Sequence, residues 1–275
     1  MRTLASICLN EEEFVESWLA YHYPSFDRIV IAEGAARGYP ADAVTAEGLS
    51  SDRTAALIRG FPDPQGKITL VQHGWCGPEG STDDRVPAKI ELRNVCALLA
   101  GDGFLFTLDL DEFLHPFYVD DLQKTMAQEP DATACAIPQL HLWQSPKRYI
   151  TGGYADVPHF RLFRWDTGCR YLENHNWPSD ANGEPLIKMH LRPPLHVMGA
   201  RLAAPAIVHY GFCESKASMR QKNAYYLARG ENSTRPATTM FRSAALEGRL
   251  PAGCKLHPYR GFLPFQKKQP KPTGR

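Results

Sequence analysis

The sequence predicts an α/β protein built on a mostly parallel central sheet flanked by helices. Three observations predict it. Strand and helix signals alternate through the first half of the chain, the pattern that places helices on the faces of a parallel sheet. The strand signals are short apolar runs closed by turn residues, as buried strands are. At 275 residues the chain can bury a full core in one large domain.

In order along the chain, Leu4 to Leu9 reads as the first strand. Asn10 is placed as the N-cap of a helix and Glu13 as its capping-box acid, with Phe14, Val15, Trp18, Leu19 and His22 recurring at helical spacing before Pro24. Arg28 to Ala32 is a buried-strand run that puts Glu33 at a strand's C-terminal edge. A polar insertion from Ala35 to Leu49 leads to Ser50-Ser51-Asp52-Arg53-Thr54, which caps a helix running to Arg59. Lys67 to Val71 is the third strand, His73 to Pro87 a long loop, and Ala88 to Ala100 a helix. Gly101-Asp102-Gly103 then launches Phe104 to Leu108, a buried central strand.

Beyond Asp111 strands are expected at Ala134 to Leu142, Phe160 to Trp165 and Ala206 to Tyr210, with a polar loop at Asn174 to Glu184 and a basic helix from Ser215 to Arg229. The tail from Lys267 to Arg275 has no apolar content to offset its ordering entropy and is expected to be disordered.

Composition narrows the function classes. With 31 Lys and Arg against 30 Asp and Glu, the net charge of +1 draws the chain to neither nucleic acid nor an anionic membrane, so an anionic ligand must be held locally. No apolar run approaches a membrane span, and the acids at 11–13 interrupt any leader-like segment. The expected location is cytoplasmic. Seven scattered cysteines show no C-x-x-C pair and are expected as free thiols. They and the ten histidines show no zinc-ligand spacing.

The strongest chemical signal is Leu105 to Phe113, a buried strand running into Asp109-Leu110-Asp111-Glu112. Alternate residues of an extended chain share a side, so the Asp109 and Asp111 carboxylates are expected to converge on a hard divalent cation. A lone cap residue would not explain three acids after five apolar residues. On the preceding helix Lys89 and Arg93 are i, i+4 and share a face that suits a diphosphate, although the same spacing describes a solvated basic face.

Taken in order, Cys8-Leu9-Asn10-Glu11-Glu12, Val30 to Ala35, Ser51-Asp52-Arg53-Thr54, Arg93-Asn94 and Leu108 to Phe113 resemble the family-2-type glycosyltransferases of GT-A fold. That resemblance implies a nucleotide-sugar-binding half at 1–114, an acceptor-side half of the same domain at 115–262, and a tail at 263–275. It implies donor contacts at Asn10, Glu33, Asp52, Lys89, Arg93 and Asp109, and a metal pair at Asp109 and Asp111. His209 resembles the late histidine that completes the metal site, while a structural histidine remains the other reading. One departure concerns the acid after the second strand, since an insertion separates Glu33 from Ser51-Asp52.

The implied reaction moves a sugar from a nucleoside diphosphate, with UDP favoured, to an acceptor hydroxyl, with Mn²⁺ or Mg²⁺ and basic groups steadying the leaving diphosphate. Lys222 or Lys216 on the basic helix is expected to reach it. Glu173, Asp180 and Glu184 are the candidates for the catalytic base, Glu173 first. Trp143 and Trp177 are read as core or loop anchors before sugar platforms. Two other classes remain open: a sugar nucleotidyltransferase, whose glycine-rich basic loop is replaced here by Asn10 to Glu13, and a non-catalytic nucleotide-sugar-binding protein.

Overall fold

The computed structural model describes residues 1–78, 85–188, 190–191, 207–228, 236–261 and 263–264. In chain order the strands are β1 (Arg2–Cys8), β2 (Arg28–Ala36), β3 (Ile68–Cys76), β4 (Gly103–Thr107), β5 (Glu112–Leu114), β6 (Ala134–Ile137), β7 (Gln139–Leu142), β8 (Arg148–Thr151), β9 (His159–Trp165), β10 (His190–Leu191), β11 (Ile207–His209) and β12 (Lys255–Pro258). The helices are α1 (Val15–His22), α2 (Thr54–Gly60), α3 (Arg85–Ala100), α4 (Pro116–Gln128), α5 (Lys216–Ala228) and α6 (Pro236–Glu247).

The main sheet has the order β10-β6-β9-β4-β1-β2-β3. Its pairs are parallel except where β9 runs antiparallel between β4 and β6. The expected mostly parallel α/β architecture is therefore present. Alternation along the central strands fills two cores. Leu4, Ile29, Ile31 and Phe106 join Trp18 and Phe113 on one face, while Ala5, Val30, Ala32 and Leu105 join Leu92 and Cys96 of α3 on the other.

A second sheet, β12-β8-β7-β11-β5, was not expected. It arises because the run from Ala134 to Leu142 is two strands, broken at Pro138, which has no N–H to give a ladder. β6 stays in the main sheet and β7 crosses to the second. A third core, with Trp143, Ile150, Phe212, Met219 and Phe241, lies beneath α5 and α6. Trp143 is thus a core residue, while Trp177 is 47% exposed.

Other boundaries moved for identifiable reasons. α1 begins at Val15, with no side-chain cap. Asn10 is not that cap: it sits at φ +54 and turns its amide to the 43–51 loop, and Glu13 accepts from Ser215 N–H instead of closing a capping box. β3 runs on to Cys76, and α3 starts at Arg85, so the loop expected at His73 to Pro87 is strand over 73–76 and helix over 85–87, while 79–84 lie outside the described residues. α4 went unread, although His115 caps it and Pro116 opens it. The tail lies outside the described residues except for 263–264. Among the described residues, no helix is long and apolar enough to cross a membrane.

Candidate active site

The sheet order reverses at β1: the chain runs outward through β2 and β3, then returns to β4 on the other side. Open α/β sheets place ligands in the crevice beyond the carboxyl ends of such diverging strands. A cavity of about 170 Å³ lies there, lined by Cys8 at the end of β1 and Glu11 after it, Gly34 of β2, and Asp109 and Asp111 after β4. Lys89 of α3, Lys222 and Tyr225 of α5, Arg242 of α6 and Tyr39 complete the wall. A larger cleft of 1010 Å³ adjoins it, shares Leu9, Glu11, Tyr39 and Lys222, and is lined by Asn10, Asp52 and Ser215 among others.

β4 ends at Thr107, and the chain turns through Leu108 to Asp111, with Glu112 N–H donating to the Asp109 carbonyl at 2.9 Å. The two aspartates therefore do not alternate along a strand as expected, and the turn sends their carboxylates to different partners. Asp109 accepts from Arg93 Nη2 at 2.8 Å and lies 3.5 Å from Arg161 Nη2. Burial acts to raise its carboxyl, but Arg161, Arg93 and Lys89 outweigh it and hold Asp109 well below the usual carboxylate range. Lys89 and Arg93 thus share a face directed at Asp109, as their spacing suggested.

Asp111 faces His209, Oδ2 to Nε2 at 3.4 Å. Strand register makes this possible, because β11 lies beside β5 with His209 opposite Glu112, and beside β7 with His209 opposite His141. Burial acts to lower the His209 imidazole and to raise the Asp111 carboxyl; their mutual attraction prevails, raising one and lowering the other. His209 Nδ1 also meets His141 Nδ1 at 2.7 Å. Burial, then His209, keeps His141 far below the ordinary histidine range, so His141 is the neutral partner of the pair. Gly211 admits this contact: a Cβ there would stand 2.6 Å from His209 Nε2 and 2.8 Å from Asp111 Oδ2.

Lys222 pairs with two carboxylates, half-buried Glu11 at 3.0 Å and buried Glu214 at 3.1 Å. Burial lifts Glu11 to about 8 against the pull of Lys222, with Glu214 and Asp111 adding to the rise. Beneath the site, Arg161 reaches Glu112 at 2.5 Å, and both are buried.

Other sequence-named residues stand apart from the cavity. Glu33 is fully buried, its carboxylate taken by Ser50 N–H at 3.1 Å and Gln72 Nε2 at 2.8 Å. Asp52 accepts from Glu12 N–H and from Thr54 N–H, the first residue of α2. Glu173 is exposed, and Asp180 closes a turn by accepting from the Asn182 and Glu184 N–H groups. Lys216 is exposed at the start of α5. Sequence reasoning missed Glu11, Arg161, His141, Gly211 and Arg242 as members of the site. Glu11 itself stood within a recognised motif and Arg161 within the strand expected at Phe160 to Trp165, while His141 and Arg242 carried no signal.

Fold and site together define an α/β protein with a charged cavity at the switch point of a mostly parallel sheet. No family model matches the chain, and no curated protein matches it. Among solved structures it is similar to S. aureus TarS 1–349, at 10% identity and TM-score 0.40, covering 90% of this chain and 70% of that one. The complex of TarS 1–349 with UDP-GlcNAc aligns at 12% identity and TM-score 0.31, covering 52% of this chain and 34% of that one. The chain spans about a third of the length of that complex's protein.

Proposed function

We propose that this chain is a glycosyltransferase of GT-A type that moves a sugar from a nucleoside-diphosphate donor, with UDP favoured, to an acceptor hydroxyl. The observation that supports this reading is the place of the cavity, at the carboxyl ends of β1, β2 and β4, where Glu11 and Asp109-Leu110-Asp111 line the wall and Arg93 reaches Asp109 from α3.

Asp111 and His209, already in contact, would hold a divalent cation of the manganese type, and Asp109, whose side chain keeps 43% of its surface open, would join them by turning from Arg93 and Arg161. Mn²⁺ or Mg²⁺ held there would offset diphosphate charge. Lys89 and Arg242 line the same wall and would steady the leaving diphosphate. Lys222 adds less, since two carboxylates already balance it. The adjoining cleft suits the acceptor. Glu11, shared by both spaces, is better placed than Glu173 or Asp180 to take the acceptor proton if the reaction inverts.

The test is calorimetric titration with UDP-, GDP-, CMP- and dTDP-sugars, with and without Mn²⁺, followed by assay of nucleotide release. Metal-dependent binding of one donor and its turnover are expected; no binding of any donor refutes the proposal. The clamp of Arg93 and Arg161 on Asp109 favours a second reading, a donor site that needs no metal. Donor binding unchanged by EDTA would select it.

A further inference from the structure

β3 ends in a feature that the donor cavity does not use. Gln72 pairs with Glu33 and Gly74 with Gly34, which leaves His73 as an extra residue in the ladder. Residues three apart on a regular strand point to opposite faces. A one-residue bulge re-aims the side chain, and here Gly74 takes φ +83 beside it. His73 is thereby turned to the same side as Cys76, against α3.

Glu91 of α3 meets them there. His73 Nε2 lies 2.6 Å from Glu91 Oε1, and one ligand atom each of His73, Cys76 and Glu91 lie within 4.8 Å of one another. Among the described residues, this is the only trio of His, Cys, Asp or Glu side chains so gathered. The carboxylate is already oriented, since Glu91 Oε2 accepts from Gly77 N–H at 2.7 Å, and Arg37 Nε in turn holds the Gly77 carbonyl at 2.9 Å. Metal sites are steadied by such outer hydrogen bonds.

We propose that His73, Cys76 and Glu91 form a zinc site that ties the end of β3 to α3, with a fourth position for water on the exposed His73 side. Imidazole, thiolate and carboxylate together suit Zn²⁺, whereas Mg²⁺ and Ca²⁺ prefer all-oxygen sets. Tetrahedral bonds of about 2.0–2.3 Å ask for donor atoms roughly 3.5 Å apart. His73 and Glu91 need only part by about an ångström as the ion takes the place of the proton between them, which moves to His73 Nδ1 to leave a neutral imidazole. Cys76 binds as thiolate and releases its proton to solvent. Burial and Glu91 hold that thiol up at about 12, so the metal must displace the proton. The consequence reaches the cavity, because α3 also carries Lys89 and Arg93, which face Asp109.

The experiment is a Co²⁺ titration of the chelator-stripped full chain in excess Mg²⁺, which occupies hard oxygen sites. One equivalent should produce a thiolate-to-cobalt charge-transfer band that Zn²⁺ abolishes. Cys76→Ser should lose the band. His73→Ala and Glu91→Gln, both at solvent-exposed side chains, should weaken binding by about tenfold or more, at least the loss seen when outer partners are removed. Asp109→Asn should keep the band, which separates this site from the donor site. A wild-type chain without the band, or His73→Ala with wild-type affinity, overturns the proposal.

Discussion

Replacing Arg161 by methionine tests whether charges beneath the cavity are held by one another. Methionine keeps much of the apolar stem but removes the guanidinium that meets Glu112 at 2.5 Å and Asp109 at 3.5 Å. The Arg161 and Glu112 side chains are only 7% and 2% exposed, so the carboxylate is left without its cation. Breaking such a buried pair costs about 3–5 kcal/mol. Glu112 keeps its hydrogen bonds from Gln139 Nε2 at 2.7 Å and Asp109 N–H at 3.1 Å, which favours the lower end. A loss of about 3 kcal/mol corresponds to a fall in Tm of roughly 6–12 °C for a chain of this size. The sign of the pH dependence follows. Burial already raises the Glu112 carboxyl, and Arg161 opposes that rise. In the variant the folded state binds a proton that the unfolded state releases, so the variant recovers stability relative to wild type as pH falls from 8 to 5. Urea denaturation at both pH values measures it, and Arg161→Met/Glu112→Gln should restore most of the loss. A cost below about 1 kcal/mol at pH 8, or no recovery in the double variant, would refute the reasoning.

Three further outcomes are expected. Gly211→Ala should push His209 from Asp111 at an overpacking cost of about 1–3 kcal/mol and lower donor turnover, read by urea titration and nucleotide release; wild-type values in both would show that the contact yields freely. His22 is held neutral between the Trp18 carbonyl and Leu114 N–H, and burial lowers its pKa from 6.5 to about 3. The unfolded chain takes up a proton that the folded chain refuses between those values, so stability falls as pH drops from 6.5 toward 3, by up to about 1.4 kcal/mol per unit; His22→Gln should flatten that slope, and parallel curves would remove His22 as its source. Asp111→Asn should abolish donor turnover while leaving the circular dichroism spectrum unchanged, and full activity would remove Asp111 from the chemistry.

The first half of the fold was legible because each strand there is a continuous apolar run between turn residues, and each helix follows with its own spacing. The second half was harder for physical reasons. Pro138 divides one apolar run between two sheets, and β5 and β11 are three residues each, too short to show a period. The approach of Asp111 to His209 was readable only through resemblance, since it depends on β11 inserting between β5 and β7. The His73–Cys76–Glu91 trio left no trace in spacing because a bulge, visible only in the register, supplies the missing half-turn.

The ordered motifs supply residues to the cavity wall, Glu11 and Asp109 to Asp111 among them, while other motif residues do other work. Asn10 accepts from Ser51 N–H, Glu33 from Ser50 N–H, and Asp52 from Glu12 and Thr54 N–H, all between the ends of β1 and β2 and the segment entering α2. An acid at the end of a parallel strand has two uses open to it: it can face a ligand, or it can satisfy backbone N–H groups of a loop that must be buried. The insertion from Ala35 to Leu49 presents such a loop, and Glu33 is fully buried beneath it. The same residue type at the same strand edge therefore becomes a loop anchor here, and under the proposed function polar recognition of a donor would fall to side chains that line the cavity, Lys89, Tyr39 and Arg242 among them. On this reasoning Glu33→Gln, which keeps an acceptor for Ser50 N–H, should lower stability more than donor affinity. A selective rise in donor Kd with an unchanged urea midpoint would return Glu33 to the binding surface.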